Sequence, residues 1–520
     1  MLQDAASFAG AVRPLIEKLV KEQTRNVLRA DRFDVVTPAN GSKMGVRQPF
    51  GKQEIFLPYT QEVANAQAGD AVLVLWRGSL SNGKVWCFGN GPEGAISNFV
   101  TPEMYGAKGN GVSDDTAALQ ACLVNGNNVI LSGTYLITEP LNIANKHDIF
   151  IFGGTIVRNA DQTFNTLVGS GCDNITIENV TFDGNGNNRE MTYTWKDNAQ
   201  ACMILASQSK NIRVINCRIY NYNYGVFING ADVLNEESSF QNTALNGVIQ
   251  NCVFHNCHSA VDTYGKSILI DHNSFYGNTG KCVQVEANYT SQGGENPMDD
   301  QNYYTSVVGA VVSNNTFIDN ADTDVVIHRN AYGTIVEGNT FLNYHSAITA
   351  ISNDGSRGIS IFGNVLMYQK RQQITSDKRP WSYLASIDTI GTGVVIDGNS
   401  IYSPVVGIYE KGNSEIRDNV ISKPQISGIV VYDNSTISGM TVIRGNRITG
   451  HTIADGAYWG CYAVIFGNTI STYYFIDNLV ESTSRPVYML SGAEAFVKNL
   501  ISNQESLAIT KPSGIYEYSN

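Results

Sequence analysis

The feature that most constrains this chain is a corner that keeps returning. An apolar residue recurs at Phe182, Ile219, Phe254, Phe275, Phe317, Phe341, Leu366, Ile401, Ile421, Ile448, Val480 and Ile501. From the fourth of these onward an asparagine stands two positions ahead: Asn273, Asn315, Asn339, Asn364, Asn399, Asn419, Asn446, Asn478 and Asn499. The spacing runs from 20 residues (Ile401 to Ile421) to 42 (Phe275 to Phe317), the longer gaps fitting one short unit plus a loop. Repeated short strands with polar corners mark a β-solenoid, in which each turn buries alternate side chains only once the next stacks on it, ~4.8 Å away. Asparagine suits such corners because it tolerates left-handed backbone and can form hydrogen-bonded ladders. A β-sandwich is the weaker alternative.

Two regions precede the repeat. Over 1–29, Val12, Ile16, Leu19, Gln23 and Val27 recur at helical spacing behind Pro14, which predicts a short helix for self-association or attachment. Over 30–98, runs at Arg32–Val36, Glu54–Leu57, Ala71–Trp76 and Lys84–Phe88 alternate with Asn40-Gly41, Gly69-Asp70 and Asn82-Gly83, predicting a small β domain with hairpins. With 35 Lys+Arg against 47 Asp+Glu, the net charge of −12 argues against nucleic-acid binding. No apolar run approaches the ~18 residues of a membrane span. Met1-Leu2-Gln3-Asp4 opens no signal peptide. The 9 cysteines are scattered; Cys202, Cys217, Cys252 and Cys282 sit in apolar strand-like runs, so buried free thiols are expected, as for a chain folded in a reducing cytoplasm.

The repeat begins after Met104-Tyr105-Gly106-Ala107-Lys108-Gly109-Asn110-Gly111-Val112-Ser113-Asp114-Asp115-Thr116-Ala117-Ala118-Leu119-Gln120. This segment resembles the opening motif of the pectate-lyase-like superfamily, with Asn110 where that family more often has Asp. The resemblance implies an all-β chain, a right-handed parallel β-helix over 125–520, entered through a motif and capping helix at 99–124. Asp114 or Asp115 is expected to cap that helix, whose apolar face (Ala117, Leu119–Ala121, Leu123) closes the solenoid's end. Together with the N-terminal helix and β module, the chain resembles phage tailspike and tail-fibre depolymerases. That likeness implies a homotrimer in the virion tail, attached to tail or baseplate through residues 1–98 and acting on host surface polysaccharide. Neither metal nor cofactor is expected, and no membrane insertion.

Aligning strands after successive corners gives a candidate site. Val226-Phe227-Ile228-Asn229, Val261-Asp262-Thr263-Tyr264, Val283-Gln284-Val285-Glu286, Val325-Val326-Ile327-His328 and Ile348-Thr349-Ala350-Ile351 alternate, so that second and fourth residues share one outward face. Asn229, Asp262, Tyr264, Gln284, Glu286 and His328 then stand together, Arg329 follows, and the insertion Ala287–Ser306 stands beside them. Asp262 and Glu286, one rung and two residues apart, should have Cα atoms roughly 8 Å apart. Carboxyl groups ~5 to ~9.5 Å apart can flank a glycosidic bond. Glu286, next to apolar neighbours, suits the acid, Asp262 the base or nucleophile. His328, counted with Asp262 and Glu286 as catalytic, or Arg329 would orient the substrate or bind a carboxylated sugar, and Tyr264 offers a stacking surface. Gln284, Asn229 and Trp381, the last in the loop Gln369–Leu384, complete the expected contacts. Arg329 has rival ion-pair partners in Asp324 and Glu337, and Phe227 and Val326, outward and apolar, are the expected subunit contacts. His255, His258, Cys252 and Cys257 superficially suggest zinc, but their strand phases differ.

The leading expectation is thus glycoside hydrolysis. The alternatives are a lyase in which Tyr264 or His328 removes a proton beside a uronate carboxylate, with Arg329 stabilising the enolate, and a non-catalytic receptor-binding tail protein using the same face.

Overall fold

The computed structural model describes residues 28–47, 53–77, 84–88, 99–160, 164–186, 201–205, 209–228, 245–263, 267–286, 309–328, 331, 333–343, 351–368, 385–432, 440–451, 463–467, 472–482, 487–489, 494–498, 501–502 and 515–517. Two compact units emerge: Met1–Ile137 with Ile149–Val157 and Ile177–Thr181, and Thr138–Asp148, Arg158–Thr176 with Phe182–Asn520.

In the first unit, five antiparallel strands run in the order Ile55–Pro58, Lys43–Arg47, Leu28–Asn40, Ala71–Arg77, Lys84–Phe88. Alternate residues (Phe33, Val35, Met44, Val46, Val72, Val74) are buried with Leu57, Val63 and Val85 to form its core. The expected hairpin is present one residue later than the dipeptide suggests: Asn40 pairs with Lys43, so Gly41 and Ser42 make the turn, with Gly41 at φ +65°. Of the helix expected over 1–29, residues 1–27 lie outside the described residues, and Leu28 and Arg29 already belong to a strand.

The same unit holds the helix Thr116–Asn125. Its N-cap position is Asp115, which makes no side-chain cap bond, while Asp114 Oδ1, one residue ahead, accepts the Thr116 backbone N–H at 3.0 Å. Asp115 does something else, accepting the backbone N–H groups of Lys108 (2.6 Å) and Gly109 (3.0 Å) to pin the preceding turn. The buried stripe is Ala118, Leu119, Cys122 and Leu123, at helical spacing, while Ala117 is exposed.

The second unit is a parallel β-helix built from three columns of strands. One column runs through Tyr224–Ile228, Ser259–Thr263, Val283–Glu286 and Val325–His328. A second runs through Leu245–Gln250, Leu269–Asp271 and Val311–Ser313, and a third through Val253–His255, Ser274–Tyr276 and Thr316–Ile318. All pair parallel, and in the third column Ile219, Phe254, Phe275, Phe317, Phe341, Leu366, Ile401, Ile421, Ile448 and Val480 fall in one register, as the repeat predicts. The last step differs: Val480 pairs with Ser502, not Ile501. Phe254, Phe275, Phe317 and Phe341 stack inside with ring centroids 4.9, 4.8 and 4.7 Å apart, the rung spacing itself.

The asparagines ahead of these residues form a buried ladder. From Asn315 to Asn478, each Oδ1 accepts both the backbone N–H and the Nδ2 of the asparagine one rung earlier, at 2.9–3.1 Å, while Asn273 Oδ1 accepts the Cys252 backbone N–H at 2.8 Å. Nδ2 also donates to a strand carbonyl, such as Val312 O from Asn339 and Val336 O from Asn364, both at 2.9 Å. The left-handed turn is made by the preceding residue instead: His272, Asn314, Gly338, Gly363, Gly398, Asp418, Gly445 and Asp477 all have positive φ. The two properties assigned to one asparagine are thus divided between neighbours. Cys202, Cys217, Cys252 and Cys282 are buried free thiols, as expected.

Replacing Asn339 by Ala leaves the Asn315 N–H and Nδ2 buried without this acceptor, a loss on the order of 3 kcal/mol. Exposed Ser400→Ala should stay within about 0.5 kcal/mol. Guanidinium unfolding midpoints distinguish them, and equal shifts would show that the ladder contributes no particular stability.

Candidate functional site

The first strand column carries the candidate residues. Pairing places Phe227, Asp262, Gln284, Val326 and Ser352 in one line, and Val226, Val261, Val283, Val325 and Ile351 in the line beside it. The alternation expected for the first four strands is therefore the observed register. The fifth is corrected: the next rung is Ile351-Ser352-Asn353-Asp354, not Ile348–Ile351. Both tetrads begin with isoleucine, and nothing local separates them; the length of the intervening loop decides. The correction puts Asp354 opposite His328, which is opposite Glu286, so three chemically capable residues occupy one line on consecutive rungs.

The inner part of this face is packed rather than open. Asp262 is 2% exposed and Gln284 5%. The Gln284 Nε2 donates to Ser259 Oγ at 2.6 Å and approaches Asp262 Oδ2 at 3.4 Å, so this amide holds its neighbours instead of awaiting a ligand. Phe227 and Val326, expected at subunit contacts, are buried within the chain itself; Phe227 packs on Tyr224 (ring centroids 5.6 Å), Ala201 and Ile204. Asn229, Tyr264, Arg329 and Trp381, and the insertions 287–308 and 369–384, lie outside the described residues. Asp183 ends the strand Thr181–Asp183 and accepts from Asn185 N–H and Asn221 Nδ2 at 2.8 Å each. Among the described residues, no three His, Cys, Asp or Glu side chains are grouped as metal ligands.

Sequence reasoning missed a second polar group farther along the same line. Ser352 is followed by Asp388 and then Tyr409. Lys411 Nζ lies 3.1 Å from Asp388 Oδ1 and 4.6 Å from the centroid of the Tyr409 ring. The signal was present in Ile387-Asp388-Thr389, which repeats the pattern of Val261-Asp262-Thr263.

No protein-family model and no curated protein matches this sequence. Solved structures do. Gene product 12 of bacteriophage phi29, in its pre-mature form, superposes with a TM-score of 0.58 at 14% identity, over 80% of this chain and 57% of that one. The chain thus spans little more than half of that protein. A mutant tailspike protein of E. coli bacteriophage HK620, in complex with a pentasaccharide, superposes at 0.50 and 13% identity, over 81% of this chain and 80% of its own. The chain shares the parallel β-helix fold of these two phage proteins. No helix among the described residues is long and apolar enough to cross a membrane.

Within this β-helix, Asp324 immediately precedes the strand of His328 and is not the open partner that an arginine would need. It is buried, with Oδ1 accepting Asn320 Nδ2 at 2.7 Å and Cys282 Sγ at 3.5 Å. Burial pushes its carboxyl up to about 7, against the pull of these two donors. Because the folded value exceeds the ordinary ~3.9, the folded state holds the extra proton between them, and stability falls as pH rises from ~4 through ~7. Asp324→Asn should therefore raise the Tm at pH 8 and leave it nearly unchanged at pH 4.5. A variant with no gain at pH 8 would mean that the buried carboxyl is not destabilising when charged.

Proposed function

We propose that this chain is a phage tail depolymerase that binds host surface polysaccharide along the outward face of its first strand column and cleaves it by glycoside hydrolysis. One observation carries the reading: Asp262, Glu286, His328 and Asp354 fall on successive rungs of one face. The fold supports it, being shared with a tailspike solved with a bound pentasaccharide. In the reaction, Glu286 gives its proton to the glycosidic oxygen as the bond from that oxygen to the anomeric carbon breaks. A water attacks the same carbon and loses its proton to a second carboxylate. Asp262 and Asp354 compete for that role. Two rungs of ~4.8 Å separate the Glu286 and Asp354 backbones, about 9.6 Å, against roughly 8 Å for Asp262, and either spacing leaves room for a glycosidic bond between the two residues. Burial of Asp262 beneath Gln284 and Ser259 favours Asp354 as the base and Asp262 as a support. His328, Arg329, Tyr264, Asn229 and Trp381 are assigned to holding the sugar.

We further propose a homotrimer attached to the virion through residues 1–98. With Phe227 and Val326 buried, its contact falls to the outward face of the third column. There Tyr276, Val365, Tyr402 and Val420 are 38–41% exposed, and no Asp, Glu, Lys or Arg occupies a register position from Val253 to Val420, although Lys423, just past the strands, donates to the Tyr402 hydroxyl at 3.0 Å.

Two measurements test these readings. Incubation with a panel of bacterial surface polysaccharides should give shortened chains without ultraviolet absorbance, and Glu286→Gln and Asp354→Asn should each lose about 100-fold or more. Rising absorbance would mean elimination and move the chemistry to Tyr264, His328 and Arg329; full activity in Glu286→Gln would sink the acid assignment; binding without shortening would leave an adhesin. In light scattering, three copies are expected for the wild type and dissociation for Val365→Arg. A monomeric wild type would contradict the assembly.

A further inference from the structure

Four rungs beyond Asp262, on the same line, the chain carries a pre-formed group: Asp388, Tyr409, Lys411 and Tyr432. The order is Asp262, Gln284, Val326, Ser352, Asp388, then Tyr409. Lys411 lies two residues past Tyr409 and so returns to the same face. Tyr432 follows Val431, the partner of Glu410, and stands one rung beyond Lys411. Four rungs of ~4.8 Å place Asp388 about 19 Å along the axis from Asp262.

The group is held firmly. Lys411 Nζ sits 3.1 and 3.4 Å from the two Asp388 oxygens and 4.6 Å from the Tyr409 ring centroid. The Lys411 and Asp388 side chains are 21% and 15% exposed, so each keeps some accessible surface, although Asp388 Oδ1 itself is buried. Tyr409 is buried beneath them, and Tyr432 is 36% exposed at the rim. An ammonium offers only donors and a carboxylate only acceptors, so a fixed pair presents both side by side. The neighbouring exposed ring adds an apolar surface with a polar tip. The two charges cancel, so nothing here favours an anionic ligand.

We infer that Asp388, Lys411 and Tyr432 form a distal subsite for an uncharged sugar unit of the polysaccharide, with Tyr409 supporting Lys411 from beneath. The proposal rests on the glycan-binding reading of this face and extends it: the polymer lies along the solenoid axis, touching the carboxylates at one end and the Lys–Asp pair at the other. An ion pair that merely fastens two rungs together would lower stability when broken and leave ligand length without effect.

The test uses the full-length protein and a size series of oligosaccharides prepared from a glycan that it cleaves or binds. Affinity should step up once the oligosaccharide is long enough to span ~19 Å. Lys411→Met and Tyr432→Ala should raise KM about tenfold for long oligosaccharides at unchanged kcat. The effect should vanish for oligosaccharides too short to reach, and Lys210→Met, which breaks the exposed pair with Asp173 on another column, should do nothing. Equal losses for short and long ligands, or a lowered Tm with no length dependence, would overturn the subsite while leaving hydrolysis in place. Should no glycan be shortened, the same series read by calorimetry keeps the two ideas apart. Length-dependent binding lost in Lys411→Met would uphold the subsite and remove the enzyme, whereas absence of any glycan binding would remove both.

Discussion

The structure depends on the buried asparagine ladder. A carboxamide has two donor hydrogens and two acceptor lone pairs, and at an interior rung such as Asn339 every one is used: two bonds accepted from the previous rung, one given to the next, one given to a strand carbonyl. A slip of one residue between rungs would bury several of these groups without partners, at about 1–3 kcal/mol each, and would turn each strand's inner face outward. A hydrophobic core alone would tolerate sliding among similar residues far better. The ladder therefore converts a stack of short, interchangeable strands into a structure with one register.

That single register makes a functional face possible. Residues far apart in sequence become neighbours only if every intervening turn has the same height, whatever the length of its loop. From Phe275 to Phe317 the chain uses 42 residues and from Ile401 to Ile421 only 20, yet both steps are one rung. The surplus length leaves the ladder untouched, so insertions can be added beside the face without moving Glu286, His328 and Asp354 out of line.

What the sequence reveals follows from the same division. The corner asparagine and the apolar residue two positions later are each required by burial, so their spacing is visible, and the register of ten consecutive third-column residues follows from it. The small β domain is visible through alternation and Asn40-Gly41. Asp354 was hidden because Ile348 and Ile351 are equally good strand beginnings, and the choice depends on a loop closure with no local signature. Burial of Phe227, Asp262 and Val326 was hidden for a different reason: alternation tells which way a side chain points, not what lies over it. The outward residues of a solenoid strand are exposed only where nothing packs across them. Asp388 and Lys411 were missed because their contact, at 3.1 Å, joins residues 23 apart, which no short motif reports.

The three outward faces divide the chemistry among them. On the second column, Asp397, Arg417 and Arg444 follow one another on successive rungs. Arg417 Nε lies 2.9 Å from Asp397, and Glu415 bridges both arginines at 3.3 and 2.9 Å. Such exposed pairs add little stability, but they neutralise that face locally. The first column gathers carboxylates with one lysine, and the third carries none of the four charged residue types over seven rungs. In a chain of net charge −12, two copies repel at long range, a repulsion that salt screens over about 8–10 Å. Close contact is then least costly where neither partner presents an ion that must be desolvated. The strip around Tyr276 and Val365, each more than a third exposed, meets that condition, whereas farther along Lys423 Nζ lies 3.0 Å from the Tyr402 hydroxyl and places an ammonium beside it.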